Sequence, residues 1–290
     1  MDKYIVYSND LKSNKNNINP ELAIWDNNST KALYKNLSYN TIQYRIDECK
    51  KNNYSYLDLS DMGLKEIILT PDQIGQLIGI KYLFVNNNSL TSIDVSMFKS
   101  LEVLDVSNNI ITILDNLPPN LIELCCTHNQ ITQIAPHDKL VRLDCSFNKL
   151  VNLSQYKNLQ ILKCTHNQID KIIGYGSMTT LYCGNNPINE IHGLKLLHTL
   201  NCSNTDIMNI DSLTKIKILI CSKSKITNLN NDLPLEYLEI INTPINKLEY
   251  YPKLKDFVYD SNNNISLSSK YKIKNYYKQQ TNRIVEFVVI

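Results

Sequence analysis

Six cysteines in this chain, Cys126, Cys145, Cys164, Cys183, Cys202 and Cys221, follow one another at a constant spacing of 19 residues. A fixed short period marks a stack of equivalent coils, because a unit that small cannot bury its apolar face until a neighbour covers it. Aligning the chain on the cysteines brings out further columns. Units begin at Leu121, Leu140, Leu159, Met178, Leu197, Ile216, Leu235 and Leu254, and their fourth position carries Leu124, Leu143, Leu162, Leu181, Leu200, Leu219, Leu238 and Phe257. The cysteines hold the sixth position, continued by Ile240 and Tyr259. Asn129, Asn148, Asn167 and Asn186 hold the ninth, followed by Thr205, Ser224, Thr243 and Asn262. An aliphatic eleventh residue, from Ile131 to Ile245, completes the unit. Three slightly longer units starting at Tyr54, Ile80 and Leu101 extend the frame upstream and make eleven coils.

Strand side chains alternate between faces, so positions four and six of a short strand point into the coil while three, five and seven point out onto one continuous sheet. The ninth-position asparagine is expected inside, where its amide can pair main-chain groups freed as the chain leaves the strand. About eight residues remain for the return. A helix rising 1.5 Å per residue covers too little distance for that, so extended or short 3-10 segments are expected on the convex side. Pro118-Pro119 and Pro187 exclude helix at their own positions.

The pattern L-x-x-L-x-L/C-x-x-N-x-L resembles the leucine-rich repeat from Tyr54 to about Asn262. The resemblance implies an α/β solenoid of about eleven coils with a parallel concave sheet and a cap at each end. Residues 1–53 read as a polar segment followed by an N-terminal cap helix over Ser38–Lys51, with Ile42, Ile46 and Cys49 on one face and Asn52-Asn53 as the stop. Residues 54–264 read as the solenoid and 265–290 as the C-terminal cap. The string from Ile42 to Lys51, then Leu57-Asp58-Leu59-Ser60 and short Asn-rich coils, looks like leucine-rich repeat proteins encoded by giant amoeba-infecting DNA viruses. That likeness implies an interaction scaffold with no defined activity, and a host protein as a candidate partner. Asn-Leu-Pro-Pro-Asn at 116–120 is similar to short repeats of bacterial effectors, some of which are ubiquitin ligases with a separate catalytic domain; here Cys49 is the one cysteine outside the repeats.

Charge and composition narrow the function. Thirty basic against 28 acidic residues leave a formal charge of +2, too small for strong non-specific attraction to nucleic acid or an anionic membrane. Seven glycines leave little material for phosphate-binding loops, and no P-loop, dinucleotide fingerprint, His-Glu-x-x-His string or Ser/His/Asp set is present. The chain reads as a non-enzyme with no implied cofactor or metal. It has no signal-peptide core and no run of 18 apolar residues, so a cytoplasmic or nuclear protein, not secreted, is expected.

The cysteine column reads as small buried hydrophobes. Neighbours about 4.8 Å apart on a straight ladder suit neither a disulfide nor a tetrahedral zinc site. Cys125, at an outward position, is expected to be an accessible thiol. His128 and His166 occupy matching strings two coils apart, about 10 Å, with Phe147 between them, too far to share a metal. The tail Lys270–Lys278 interleaves basic and aromatic residues, which suits single-stranded nucleic acid or a solvated cap.

The informative excess lies on the concave face. Tyr82, Phe84, Val103, Ile161, Tyr182, Ile218, Ile220, Tyr237 and Ile241 stand at outward positions, an apolar surface of the kind that marks binding. Asp58, Asp105, Glu123, Asp144, Glu239 and Asp256 against Arg142 and Lys163 lean acidic, which disfavours nucleic acid there. Phe147 and Arg142 join the expected partner-binding set, with Arg142 flanked across the ladder by Glu123 and Lys163. The leading reading is a protein–protein interaction scaffold. Its rivals are a nucleic-acid-binding protein using the basic tail and a self-associating structural component, and repeat drift is the alternative account of the apolar residues.

Overall fold

The computed structural model describes residues 42–174, 176–248, 251–260 and 288–289 of the 290-residue chain. The expected polar segment, the start of the cap helix and all but two residues of the expected C-terminal cap lie outside the described residues. In chain order the elements are α1 (Ile42–Lys51), β1 (Tyr56–Asp58), α2 (Pro71–Leu77), β2 (Tyr82–Phe84), β3 (Val103–Asp105), β4 (Ile113–Leu114), β5 (Glu123–Cys125), β6 (Gln133–Ile134), β7 (Arg142–Asp144) and β8 (Ile161–Lys163). They continue with β9 (Lys171–Ile173), β10 (Thr180–Tyr182), β11 (Glu190–His192), β12 (Thr199–Asn201), β13 (Ile218–Ile220), β14 (Tyr237–Glu239), β15 (Asp256–Tyr259) and β16 (Val288–Val289).

Twelve of the described strands form one parallel sheet, in the order β1-β2-β3-β5-β7-β8-β10-β12-β13-β14-β15-β16. Each of the eleven coils contributes one strand, and β16 adds a twelfth beside the last. The fourth-position column is in register throughout: Leu104 pairs Leu124, Leu124 pairs Leu143, and so on to Leu238 against Phe257. Position six continues the ladder. The amides of Cys126, Cys145, Cys164, Cys183 and Cys202 each donate at 2.8 Å to the next coil, to the carbonyls of Asp144, Lys163, Tyr182, Asn201 and Ile220. All six column cysteines are fully buried, so their thiols fill the space that Leu59, Val85, Val106 and Ile240 take in other coils.

The convex side is extended where it is regular. The pairs β4/β6 and β9/β11 are short parallel ladders, and turns carry most of the rest. One convex segment departs from expectation. The first coil is 26 residues long, from Tyr54 to Gly79, and holds α2. The added length gives a helix room to cross. Thr70 caps it in a reciprocal box with Gln73, and Pro71 opens its first turn. At the N-terminal end α1 buries Ile46 and Cys49 against the first coil, and Ile42 packs partly on the same core. Asn53 and Tyr54 then turn the chain through left-handed backbone.

The asparagine column does what its position suggests. Asn148 Nδ2 donates to the carbonyls of Cys126 (2.9 Å) and Cys145 (3.1 Å), and its Oδ1 accepts the Ile131 amide at 2.9 Å. One side chain thus ties its own coil to the one before. Asn109, Asn129, Asn167 and Asn186 repeat the set, and Asn186 reaches Cys164, Cys183 and Ile169. Among the described residues the bridging stops there, and the ninth-position Asn262 lies outside them. Thr205 and Thr243 donate within their own coils, to the carbonyls of Cys202 and Ile240. A hydroxyl carries one proton, whereas the amide has two donors and an acceptor to divide between coils.

Asn148→Ala is expected to cost about 3 kcal/mol by leaving buried main-chain groups unpaired, and Thr205→Asn to add about 1 kcal/mol by restoring a bridge; urea denaturation measures both. Removal of the whole unit Leu159–Ser177 is expected to leave a folded, slightly less stable chain, because Asn158 then meets Met178 in the same phase. Removing only residues 159–168 puts strand and return out of phase and is expected to abolish the cooperative melt.

Candidate functional site: the concave sheet

Outward residues at positions three and five form two parallel rows across the sheet, and the register places each beside its neighbours. The third-position row runs Tyr56, Tyr82, Val103, Glu123, Arg142, Ile161, and the fifth-position row Asp58, Phe84, Asp105, Cys125, Asp144, Lys163. The face divides into three zones.

The first zone is aromatic. Tyr56, Tyr82 and Phe84 are half-buried against one another, while Asp58 accepts the Ser60 amide at 2.8 Å.

The second zone is charged and largely closed. Glu123 is 4% exposed and forms an ion pair with Arg142. Asp144 accepts the Ser146 amide at 3.1 Å and stands 3.8 Å from the Lys163 ammonium. Asp105 accepts the Ser107 amide at 2.9 Å and is 5% exposed. Burial, partly offset by the Ser107 hydrogen bonds, holds its carboxyl above the usual carboxylate range. Three expectations change here. Arg142 lies beside Glu123, as expected, but its other neighbour is Ile161, and Lys163 pairs Asp144. Val103 is buried and offers no open apolar surface. Cys125 is 5% exposed, not an accessible thiol. It does face outward, yet Asp105 and Asp144 flank it in register and close over it.

A local signal explains the carboxylates. Asp58-x-Ser60, Asp105-x-Ser107 and Asp144-x-Ser146 each turn the side chain onto the serine amide two residues on, and Asn201-x-Ser203 does the same at 3.1 Å. Aspartate and asparagine commonly make this bond to their own backbone. Asp105 and Asp144 therefore shape the strand exit, and reading the Asp/Asn-x-Ser pattern would have assigned them that role.

The third zone is open and apolar. Ile161, Tyr182, Ile220, Tyr237 and Ile241 are half-buried, and Ile218 is 37% exposed. Glu239 accepts from Ser222 Oγ at 2.7 Å and from the Tyr237 hydroxyl at 3.2 Å.

Phe147 is not on the strand rows. It occupies position eight, where Asn87, Asn108, His128, Phe147, His166, Asn185, Asn204, Lys223 and Asn242 all have φ between 53° and 57°. Asparagine tolerates this left-handed region well and a bulky residue poorly. Phe147 compensates by stacking between His128 and His166, with ring centroids 4.2 Å apart on both sides. His166 Nε2 then meets Asn185 Nδ2 at 3.1 Å, and Asn204 Nδ2 donates to Asn185 Oδ1 at 2.8 Å. The sheet is thus rimmed by a ring stack continuing into an amide ladder. The intervening phenyl ring also keeps the two imidazoles from sharing a metal ion, and among the described residues no cluster of three or more metal-ligating side chains occurs.

The fold is that of a leucine-rich repeat solenoid, and its structural likenesses agree. The functional domain of InlJ from Listeria monocytogenes, which includes a cysteine ladder, aligns at 24% identity over 76% of this chain and 57% of that one, with a TM-score of 0.59. The leucine-rich repeat domain of APL1B aligns at 21% identity over 74% of this chain and 66% of that one, with a TM-score of 0.58. YopM, a leucine-rich effector protein from Yersinia pestis, gives 19% identity over 79% and 80%, with a TM-score of 0.51. The chain spans less than two thirds of InlJ and of APL1B. No family model and no curated protein sequence matches it.

Burial pushes the thiols up, to about 12 at Cys183 and about 11 at Cys49, and well above the ordinary range at Cys125. A thiol reagent is accordingly expected to label all three slowly in the native chain and fast after unfolding. Rapid native labelling of Cys125 alone would mean that the acidic row does not close over it. Asp105→Asn keeps the acceptor for Ser107 and removes a buried charge. A raised carboxyl favours the protonated form on folding, so the wild type loses stability as pH rises through the carboxylate range. The variant is expected to melt higher at pH 7 and to lose that advantage in acid, as scanning calorimetry would record.

Proposed function

We propose that this chain is a non-enzymatic scaffold that binds a partner protein on its concave sheet. One observation carries the reading: in the C-terminal half of that sheet, aliphatic and aromatic side chains remain accessible on a rigid parallel ladder, with Ile218 as the most open. Such a surface gains by desolvation, and the ladder is already ordered, so little conformational entropy is lost on binding. The charged zone beside it is satisfied internally, which limits it to framing the contact. Retained acidity on the same face disfavours nucleic acid, and the basic tail that motivated that rival lies outside the described residues. No helix among the described residues is long and apolar enough to cross a membrane. A cytoplasmic setting, and a partner from an infected host cell, belong to the same proposal and are supported by the cysteine-rich core and the likeness of α1 and the first coil to viral repeat proteins.

The test is affinity capture followed by substitution. Tyr182→Ala is expected to weaken the captured partner by more than about 1 kcal/mol with the melting temperature unchanged. Convex Lys195→Ala is expected to change neither. Arg142→Ala is expected to lower stability by about 2 kcal/mol, because Glu123 would be left buried and unpaired. Loss of binding on convex substitution, with concave variants silent, would overturn the assignment.

A further inference from the structure

The acidic groups of the concave face are not equivalent. In the central zone each is engaged: Glu123 by Arg142, Asp144 by Lys163 and the Ser146 amide, Asp105 by the Ser107 amide. In the last three coils the situation differs. Glu239 is held by two neutral hydroxyl donors, Ser222 and Tyr237, and no ion pair reaches it among the described residues. A carboxylate has about four acceptor positions, so half its capacity stays open. Asp256, next to Tyr237 in register, is exposed and likewise has no ion pair among the described residues. The nearby lysines are committed elsewhere, since Lys217 and Lys255 both clamp Glu236, at 3.8 and 2.6 Å. Burial first, and then the Glu239 carboxylate and the charge of Asp256, hold the Tyr237 phenol above its ordinary range.

Apolar groups surround these carboxylates. Ile218 pairs Tyr237, and Ile220 pairs Glu239, which pairs Val258. The patch opens sideways into a shallow groove of about 560 Å³ that runs past Ser222 to the rim. Lys223 also lines the groove and makes no ion pair with Glu239. It can take a main-chain carbonyl.

We propose that the concave strands β13, β14 and β15 bind an extended protein segment presenting a lysine or arginine between aliphatic side chains. The cation sits on Glu239 and Asp256, and its aliphatic neighbours cover Ile218, Ile220 and Val258. This names the partner's chemistry for the concave-face reading and rests on it. A preset carboxylate gains a charge-assisted hydrogen bond without reorganising, and the surrounding apolar groups exclude water from it.

The experiment is selection of a random 12-residue phage-displayed peptide library on the full chain, followed by calorimetry with synthetic peptides from the enriched sequences. Enrichment of Lys or Arg flanked by Leu, Ile, Val or Phe is expected. Their affinity is expected to fall at least tenfold on Glu239→Gln combined with Asp256→Asn, to fall with added salt, and to be unchanged by Tyr82→Ala. The glutamine oxygen still accepts from Ser222 and its amide can donate to the Tyr237 hydroxyl, so the melting temperature serves as the folding control. Enrichment of acidic or uncharged sequences, or no enrichment, overturns the proposal. It leaves the concave-face reading standing if Tyr182→Ala still weakens the captured protein partner. Basic aliphatic peptides whose binding ignores every concave substitution overturn both.

Discussion

Main-chain polar groups leaving a three-residue strand have to be paired inside a coil too thin to admit a second layer of structure. An unpaired buried carbonyl or amide costs about 1–3 kcal/mol, and a stack of such coils multiplies that cost by the number of turns. The chain meets the constraint in two ways. Backbone amides at the cysteine column donate to the next coil, and asparagine amides from Asn88 to Asn186 donate back to the preceding one. The two sets run in opposite directions along the stack and fix its register. Cysteine, valine, leucine and isoleucine are then interchangeable at position six, since the site asks only for a compact apolar group.

That economy decides where binding chemistry can occur. Interior columns are consumed by packing, and the carboxylates of the Asp-x-Ser turns are consumed by the strand exits. Only outward positions without such duties remain available, and these gather in the later coils, where Tyr182, Ile220 and Glu239 hold position five and Asn201 keeps the turn onto Ser203. The coils of Ile220 and Glu239 carry Ser224 and Thr243 at the ninth position in place of a bridging asparagine, and Thr243 donates within its own coil.

Periodicity made the solenoid legible, because a column such as Cys126 to Cys221 reports a position that sees the same surroundings in every turn. It told less about the outward rows, where neighbours change from coil to coil. Cys125 sits on the solvent side by alternation and is nonetheless buried, because Asp105 and Asp144 close over it. Arg142 and Lys163 are two positions out of phase in the unit, so the ladder gives them different partners. Phe147 was assigned to the concave face, and its left-handed backbone puts it on the rim. The α2 helix was legible locally, in Thr70-Pro71-Asp72-Gln73 and the length of the first coil, but an argument from the 19-residue unit passes over it.

Native-state hydrogen exchange tests the bridging account most directly, because it reads the stability of each coil separately. The amides of Cys145 and Cys164 lie between asparagine-bridged coils, and those of Cys221 and Ile240 lie past Asn186, the last asparagine bridge among the described residues; all four donate to a neighbouring coil at 2.8–3.0 Å. With backbone bonding matched in this way, the account predicts that Cys145 and Cys164 exchange only through global unfolding, while Cys221 and Ile240 exchange faster through local opening of the C-terminal coils. Equal protection at all four, or greater protection at Cys221 and Ile240, would contradict it.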